Sequence, residues 1–317
     1  MNNANSKLKR LLVGNLGTFI VLLVLVAVFS LLSNIYLTTS NLSNLLVQSA
    51  TNAIIAVGMT FVIVSGNIDI SVGSILAASS CVGATIMVNT NSILLGVAAA
   101  LASGVVLGLI NGTLIAYLGF PPFIVTLSTM WLFRGFAYLY TNGIAIVGLP
   151  KSMLQLARGN AFLLPNVVWL IIVIYFICHF LLQKTTYGRK ICAVGDNAEA
   201  ARLSGINNKK ILLTVFAMSG LFAALSGVVY MSRLNSGQPI AGQSYEMYAI
   251  AAAVIGGASL TKGGIGNLVG TLVGAIFIAA LQNGLTIVNV STYWQQVCMG
   301  LVVLLAVGLD RLRKTVR

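Results

Sequence analysis

The chain has 317 residues, 58% of them hydrophobic and only 7% charged. A soluble domain carries roughly 25% charged residues, so this composition excludes one, and apolar runs long enough to cross ~30 Å of hydrocarbon recur from end to end. The net charge of +13 calls for no nucleic acid, because the basic residues gather between those runs, as they do on the inner face of membrane proteins.

Backbone groups inside lipid must satisfy one another, and continuous apolarity without period-two alternation rules out a barrel. The chain reads as an all-α polytopic membrane protein, a single transmembrane domain over residues 1–317 with about ten transmembrane helices. Polar breaks place these at 13–32, 45–65, 70–88, 92–117, 123–141, 165–182, 211–231, 246–260, 264–286 and 293–309. The first follows Lys7, Lys9 and Arg10, lacks a convincing cleavage site and exceeds a signal-peptide core, which predicts an uncleaved helix.

Spans two and three meet in GMTFVIVSGNIDISVGS, Gly58–Ser74. Gly66 and Asn67 can break a helix there, and Asp69 or Ser71 can cap the next. An acid so placed is either a cap near the inner boundary or part of a translocation pathway or gate. Span four carries Gly104, Gly108 and Gly112, and span nine repeats the spacing with Gly266, Gly270 and Gly274. Glycines four apart share a helix face and let backbones approach, within one bundle or across a dimer seam. Gly-Thr-Leu occurs in both runs and hints at an internal duplication. Arg134 in span five must pair, snorkel or face water. It lines an aqueous cavity with Asn142 or binds carbonyls at a bundle interface. Gln282 and Asn283 join the neutral polar groups of the outer half, which suit a hydroxyl-rich solute.

Cys81, Cys178, Cys192, Cys298 and the single histidine, His179, show no metal-ligand or disulfide spacing, so no metal or cofactor is expected. No G-x-x-x-x-G-K-[ST] phosphate loop occurs, so this chain has no P-loop ATP site and an enzyme is the weaker reading.

The longest polar island, residues 184–210, holds six of the eighteen basic residues and two of the five acids. Within it Asp196 and Glu199 form a D-x-x-E capping box for a short stiff helix over Asn197–Ser204, and Gly205 supplies a left-handed stop. Gly195, Ala200, Ala201 and Arg202 complete this segment. An inside N-terminus puts fourteen basic residues on the cytoplasmic face and leaves only Lys151, Arg158 and Arg233 outside. Both termini and the island are then cytoplasmic.

The quoted Gly58–Ser74 motif resembles the signature of the monosaccharide-type permease subunits of bacterial ABC importers. GRKICAVGDNAEAARLSGIN, Gly188–Asn207, is similar to their cytoplasmic coupling segment, and Ser219–Leu285 is similar to the ribose-type permeases in particular. The resemblance spans roughly residues 40–310 and departs from the signature at Asn67, where glycine is usual, and in a shorter segment between Tyr140 and Pro165. It implies the large ten-helix (type II) importer fold in the bacterial inner membrane. The partners it implies are a second permease chain as a homodimer, an ATP-binding cassette on the cytoplasmic side, an outer sugar-binding protein and membrane lipids. The alternatives are a permease of the same superfamily for branched-chain amino acids or a furanose-like signal, and an ion-coupled secondary transporter using Asp69 and Arg134.

Overall fold

The computed structural model describes residues 15–316; Lys7, Lys9, Arg10, Arg317 and the start of the first predicted span lie outside them. The described helices are α1 (Asn15–Leu32), α2 (Thr39–Val64), α3 (Val72–Thr90), α4 (Ile93–Ala116), α5 (Pro122–Thr141), α6 (Leu154–Arg158), α7 (Asn166–Lys184), α8 (Thr186–Asp196), α9 (Ala198–Leu203), α10 (Asn208–Leu234), α11 (Tyr245–Ile255), α12 (Leu268–Ile287) and α13 (Thr292–Val316). Four two-residue strands, β1 (Ile146–Val147), β2 (Asn160–Ala161), β3 (Leu164–Pro165) and β4 (Ser236–Gly237), tie loops at one end; β1 pairs with β4 and β2 with β3, both antiparallel.

Each of the ten predicted apolar segments is helical. Seven helices are long and apolar enough to cross a membrane, and shorter apolar helices occupy Gly17–Leu32, Tyr245–Ile255 and Thr292–Gly308. The correction falls on the eighth predicted span, 246–260. Its helix α11 has 11 residues, which at 1.5 Å per residue reaches only about half a hydrocarbon core. The reason is local. Gly256 and Gly257 end it, with the Gly257 and Ala258 N–H groups bonded back to Val254 and Ala253 carbonyls.

Helix α2 is buried from Ser49 to Val64, a stretch made mostly of small and aliphatic residues. Helix α10 lies against α2, α3 and α4. The span-four glycines make the α4 contact. A Cβ at Gly104 would meet the Gly220 carbonyl and the Ala224 side chain of α10, one at Gly108 would meet the Phe216 carbonyl, and one at Gly112 would meet Leu213. In span nine, Gly270 lies on Gly256 and Gly274 on Ala252 of α11, while Gly266 lies against Val64 and Thr60 of α2. Both stripes are closed within this chain.

Candidate functional site

Three features stand out: the α8–α9 segment, the break between α2 and α3, and an interior cavity beside Arg134.

The polar island contains two helices where one was expected. Thr185 caps α8 by accepting the Gly188 N–H at 3.2 Å, and Gly188, Ile191 and Val194 turn inward at helical spacing. The Asp196–Glu199 capping box does not form, because Asp196 is already the last residue of α8. Asn197 takes the cap instead, its Oδ1 accepting the N–H groups of Glu199 at 3.1 Å and Ala200 at 3.0 Å. Glu199 turns to Arg202, at 3.0 Å and 2.6 Å, and that guanidinium holds its carboxyl below the usual range. Both groups are exposed, so this pair adds little stability. Gly205 does stop the helix: its φ is +80°, its N–H bonds to the Arg202 carbonyl, and the Ile206 N–H bonds to that of Ala201. Ala201 faces in, Ala200 and Ser204 are exposed, and Leu203 is 74% exposed.

The root of this helix pair is clamped. Gly195 has no room for a side chain, since a Cβ would strike the Val64 carbonyl at the end of α2 and come within 2.8 Å of the Gly264 nitrogen. That nitrogen donates to the same Val64 carbonyl at 2.8 Å. Gly66, at φ +81°, lies against the Gly195 backbone, and Lys262 Nζ is 3.5 Å from Asp196. The loop after α11 is held in turn by Asp310 of α13, whose Oδ2 accepts from Ser259 Oγ at 3.1 Å and from the Leu260 N–H at 3.0 Å. Three backbone segments thus meet at one point, and α13 braces the loop that supplies one of them.

The α2–α3 break leads inward from there. Asn67 turns back, its Nδ2 donating to the Ser65 carbonyl at 2.9 Å. Asp69 is fully buried. Its Oδ1 accepts the Ser71 N–H at 3.0 Å and the Ser71 hydroxyl at 2.6 Å; its Oδ2 accepts the Ser219 hydroxyl at 2.7 Å. Asn111 Nδ2 donates to Ser71 Oγ at 2.8 Å. Ser219 is the twelfth of the 27 residues of α10, so Asp69 sits well inside the bundle and not at its boundary. The Ser71 side chain makes no cap bond to α3; Asp69 binds the Ser71 N–H in its place. A buried carboxylate needs such donors, and Ser71, at the N-cap of α3, and Ser219 of α10 supply them. Replacing Asp69 with asparagine keeps one acceptor and turns a donor toward a serine hydroxyl, a loss of about 1–3 kcal/mol of local stability. Asp69→Asn should lower the thermal midpoint of the inserted chain by a few degrees, and an unchanged midpoint would make this knot dispensable for stability.

Arg134 is the thirteenth of the 20 residues of α5. Its Nη1 donates to the Pro239 carbonyl at 2.7 Å and the Ala241 carbonyl at 2.5 Å. Those carbonyls belong to segment 235–244, which runs from the end of α10 along α3: Gly237 lies against Ser80 and Ala84, and Gly242 against Gly73. The segment thus descends about 10 Å along α3 and delivers the chain to α11 inside the bundle. Irregular backbone survives at such depth only against protein or a wet cavity. Both conditions hold. A cavity of about 370 Å³ lies there, lined among others by Ser74, Trp131, Arg134, Gln243 and Glu246. Arg134 therefore joins both expected roles, carbonyl binding and cavity lining. Asn142 does not join it, being the left-handed C-cap of α5, eight residues or about 12 Å further on. Gln282 lies beside Tyr248, and Asn283 makes a reciprocal amide pair with Asn41 at 2.9 Å in each direction; neither lines this cavity.

A helical bundle with a half-length helix entering beside an interior cavity is the architecture of a membrane transport protein. The sequence profile of the family described as "Branched-chain amino acid transport system / permease component" matches residues 41–307. The chain belongs to this family of permease components. It is 43% identical over 297 residues to the ribose import permease protein of Escherichia coli (strain K12), covering 92% of each protein. The ribose import permease protein of Bacillus subtilis (strain 168) is 44% identical over 298 residues, 93% of this chain and 92% of that protein. The D-allose transport system permease protein of E. coli (strain K12) is 39% identical over 298 residues, 93% of this chain and 91% of its own length. No solved structure matches the chain.

Proposed function

We propose that the chain is the membrane-spanning subunit of an ATP-driven ABC importer that carries a monosaccharide, ribose or a related sugar, into the bacterial cytoplasm. The relatives named for ribose and D-allose support a sugar over the amino acid in the family's description. A soluble binding protein delivers the sugar to the outer end, where Arg158 and Arg233 line a cavity of about 500 Å³ and offer cations to an acidic docking surface. A second copy of this chain completes the pathway, and ATP-binding cassettes, which this chain lacks, drive it from the α8–α9 end. Charge asymmetry supports a cytoplasmic location for that end and for both termini.

The observation that carries this reading is the clamp at Gly195. Helix α9 presents Leu203 and its exposed face outward, while its root has backbone contact with the end of α2 and with the loop after α11. Force applied through α8 and α9 reaches the break at 65–71 and the loop at 256–267 without passing through a flexible side chain. Rigidity at the far end depends on Gly205. A Cβ there meets nothing within 4 Å, so Gly205→Val acts only through its φ of +80°, at about 1–2 kcal/mol or more for a β-branched residue. With the mutant chain inserted and assembled, ATP-driven uptake should fall about fivefold or more. Undiminished uptake would sink the lever role of α9. Gradient-driven uptake by this chain alone in liposomes, without ATP, would replace the whole reading with an ion-coupled transporter.

A further inference from the structure

The cavity beside Arg134 has the chemistry of a binding site for a neutral, hydroxyl-rich ring. Its volume of about 370 Å³ lies at the small end of the range for ligand pockets, the end that suits a single sugar. Ser74 supplies an independent sign. It lines the cavity, its residue is only 1% exposed, and its hydroxyl has no hydrogen-bond partner. A buried hydroxyl left unmatched is costly, and a native chain keeps one where a ligand or water completes it.

The other walls fit the same ligand. Glu246, at the start of α11, lies against Gly73, where a Cβ would come within 2.6 Å of its Oε2. The backbone of its own helix start, at Ser244 and Glu246, stabilises the carboxylate electrostatically. A carboxylate offers about four acceptor positions, so capacity for hydroxyl donors remains. Gln243 adds an amide with both donor and acceptor. Trp131 is 70% exposed and lines the cavity, offering an aromatic face to the apolar C–H side of a sugar ring. Arg134 and Glu246 feel one another electrostatically, but no ion pair within 4.0 Å joins them among the described residues. Their charges offset, leaving a site that suits a neutral solute. A zwitterionic amino acid needs a cation for its carboxylate, and two of the five N–H donors of Arg134 are already spent on the Pro239 and Ala241 carbonyls.

We propose that Ser74, Gln243, Glu246 and Trp131 form a transit subsite for a monosaccharide in a half-open cavity on the α5 side of the bundle, with Arg134 as the positioning residue that holds segment 239–241 as its wall. The proposal rests on the sugar-importer reading and names where in that chain the solute pauses. The site also touches both breaks: Ser74 lies in the first turn of α3, just beyond the Asp69 knot, and Glu246 begins the half-length helix.

The test uses the full chain in nanodiscs with Trp169→Phe and Trp294→Phe, which leaves Trp131 as its fluorophore. It is titrated with D-ribose, L-arabinose, D-allose and, as the amino-acid arm, L-leucine. Expected is a saturable change with at least one sugar and none with leucine, abolished by Glu246→Gln or Ser74→Ala. In the complete reconstituted importer Ser74→Ala should lower uptake kcat/KM for that sugar about fivefold to tenfold. Its thermal stability should stay unchanged or rise, because the substitution removes an unmatched hydroxyl; a merely structural Ser74 would show the opposite pattern. Intact sugar uptake with no saturable signal and no effect of Ser74→Ala overturns the subsite and leaves the importer standing. Saturation by leucine alone overturns both.

Discussion

Replacing Gly220 with leucine should leave almost no folded chain to assay. At this position α10 and α4 touch backbone to backbone: a Cβ would strike the Gly104 carbonyl and lie 2.9 Å from Gly108 Cα and 3.0 Å from its nitrogen. No rotamer relieves such a clash, since the obstacle is main chain on a facing helix. The two helices must separate, and the methylenes beyond Cβ widen the gap further. Overpacking costs typically about 1–3 kcal/mol where side chains can give way, and more where they cannot. Lipid offers no hydrophobic penalty for helices that part, so close packing is much of what holds them together. The expected result is loss of monodisperse protein on detergent extraction, or a thermal midpoint many degrees lower. Gly300→Ala is the control. A Cβ there meets nothing within 4 Å, and alanine is the better helix former by about 1 kcal/mol. Equal yields from the two variants would refute the α4–α10 seam.

Gly195→Ala should produce a chain that folds and inserts yet couples poorly. One methyl group at Gly195 strikes the Val64 carbonyl and crowds the Gly264 nitrogen that donates to it. The smallest adjustment lifts α8 away from α2 and breaks that hydrogen bond, worth about 0.5–1.5 kcal/mol. The bundle core is elsewhere, so global stability changes little. The mechanical path from α9 to the α2–α3 break is lost, and ATP-driven uptake should drop at least tenfold while cassette binding persists. Co-purification of the cassette together with a turnover assay reads the two effects separately. Normal turnover in Gly195→Ala would mean that coupling does not pass through this contact.

The spans were legible because each is a long apolar run with polar punctuation, a signal that needs no knowledge of neighbours. Gly205 was legible for a similar reason, since a glycine closing a short charged helix has one common use. Helix α8 was missed although Thr185 and the inward Gly188, Ile191 and Val194 carry the ordinary cap and spacing signals. Asp196 reads as the cap of the next helix by its D-x-x-E spacing, whereas it is the last residue of the helix before. The half-length α11 could not be told from a full span, because Ala, Val and Ile read alike at any depth. Tertiary pairings stayed hidden throughout. Ser219 and Asn111 are neutral residues within apolar helices, and nothing local joins them to Asp69. Asp310 sits among basic residues near Arg311 and reads as tail charge until the loop at 259–261 is seen to close on it. Glu246 and Ser74 were absent from the candidates for the same reason: 172 residues apart, they meet only because α11 starts beside α3.

The three-way meeting at Gly195, with Asp310 bracing the 259–261 loop, also fixes an order of events at the ribosome. Val64, Gly195, Gly264 and Asp310 leave the exit tunnel in that sequence, so the first waits for almost the entire chain before its last supporter arrives. Contacts of such long separation form late. A nascent chain therefore holds inserted helices but no seated lever for most of its synthesis. Until α13 is made and Asp310 closes on the 259–261 loop, a cassette that docked early would push on a part not yet fastened to the channel.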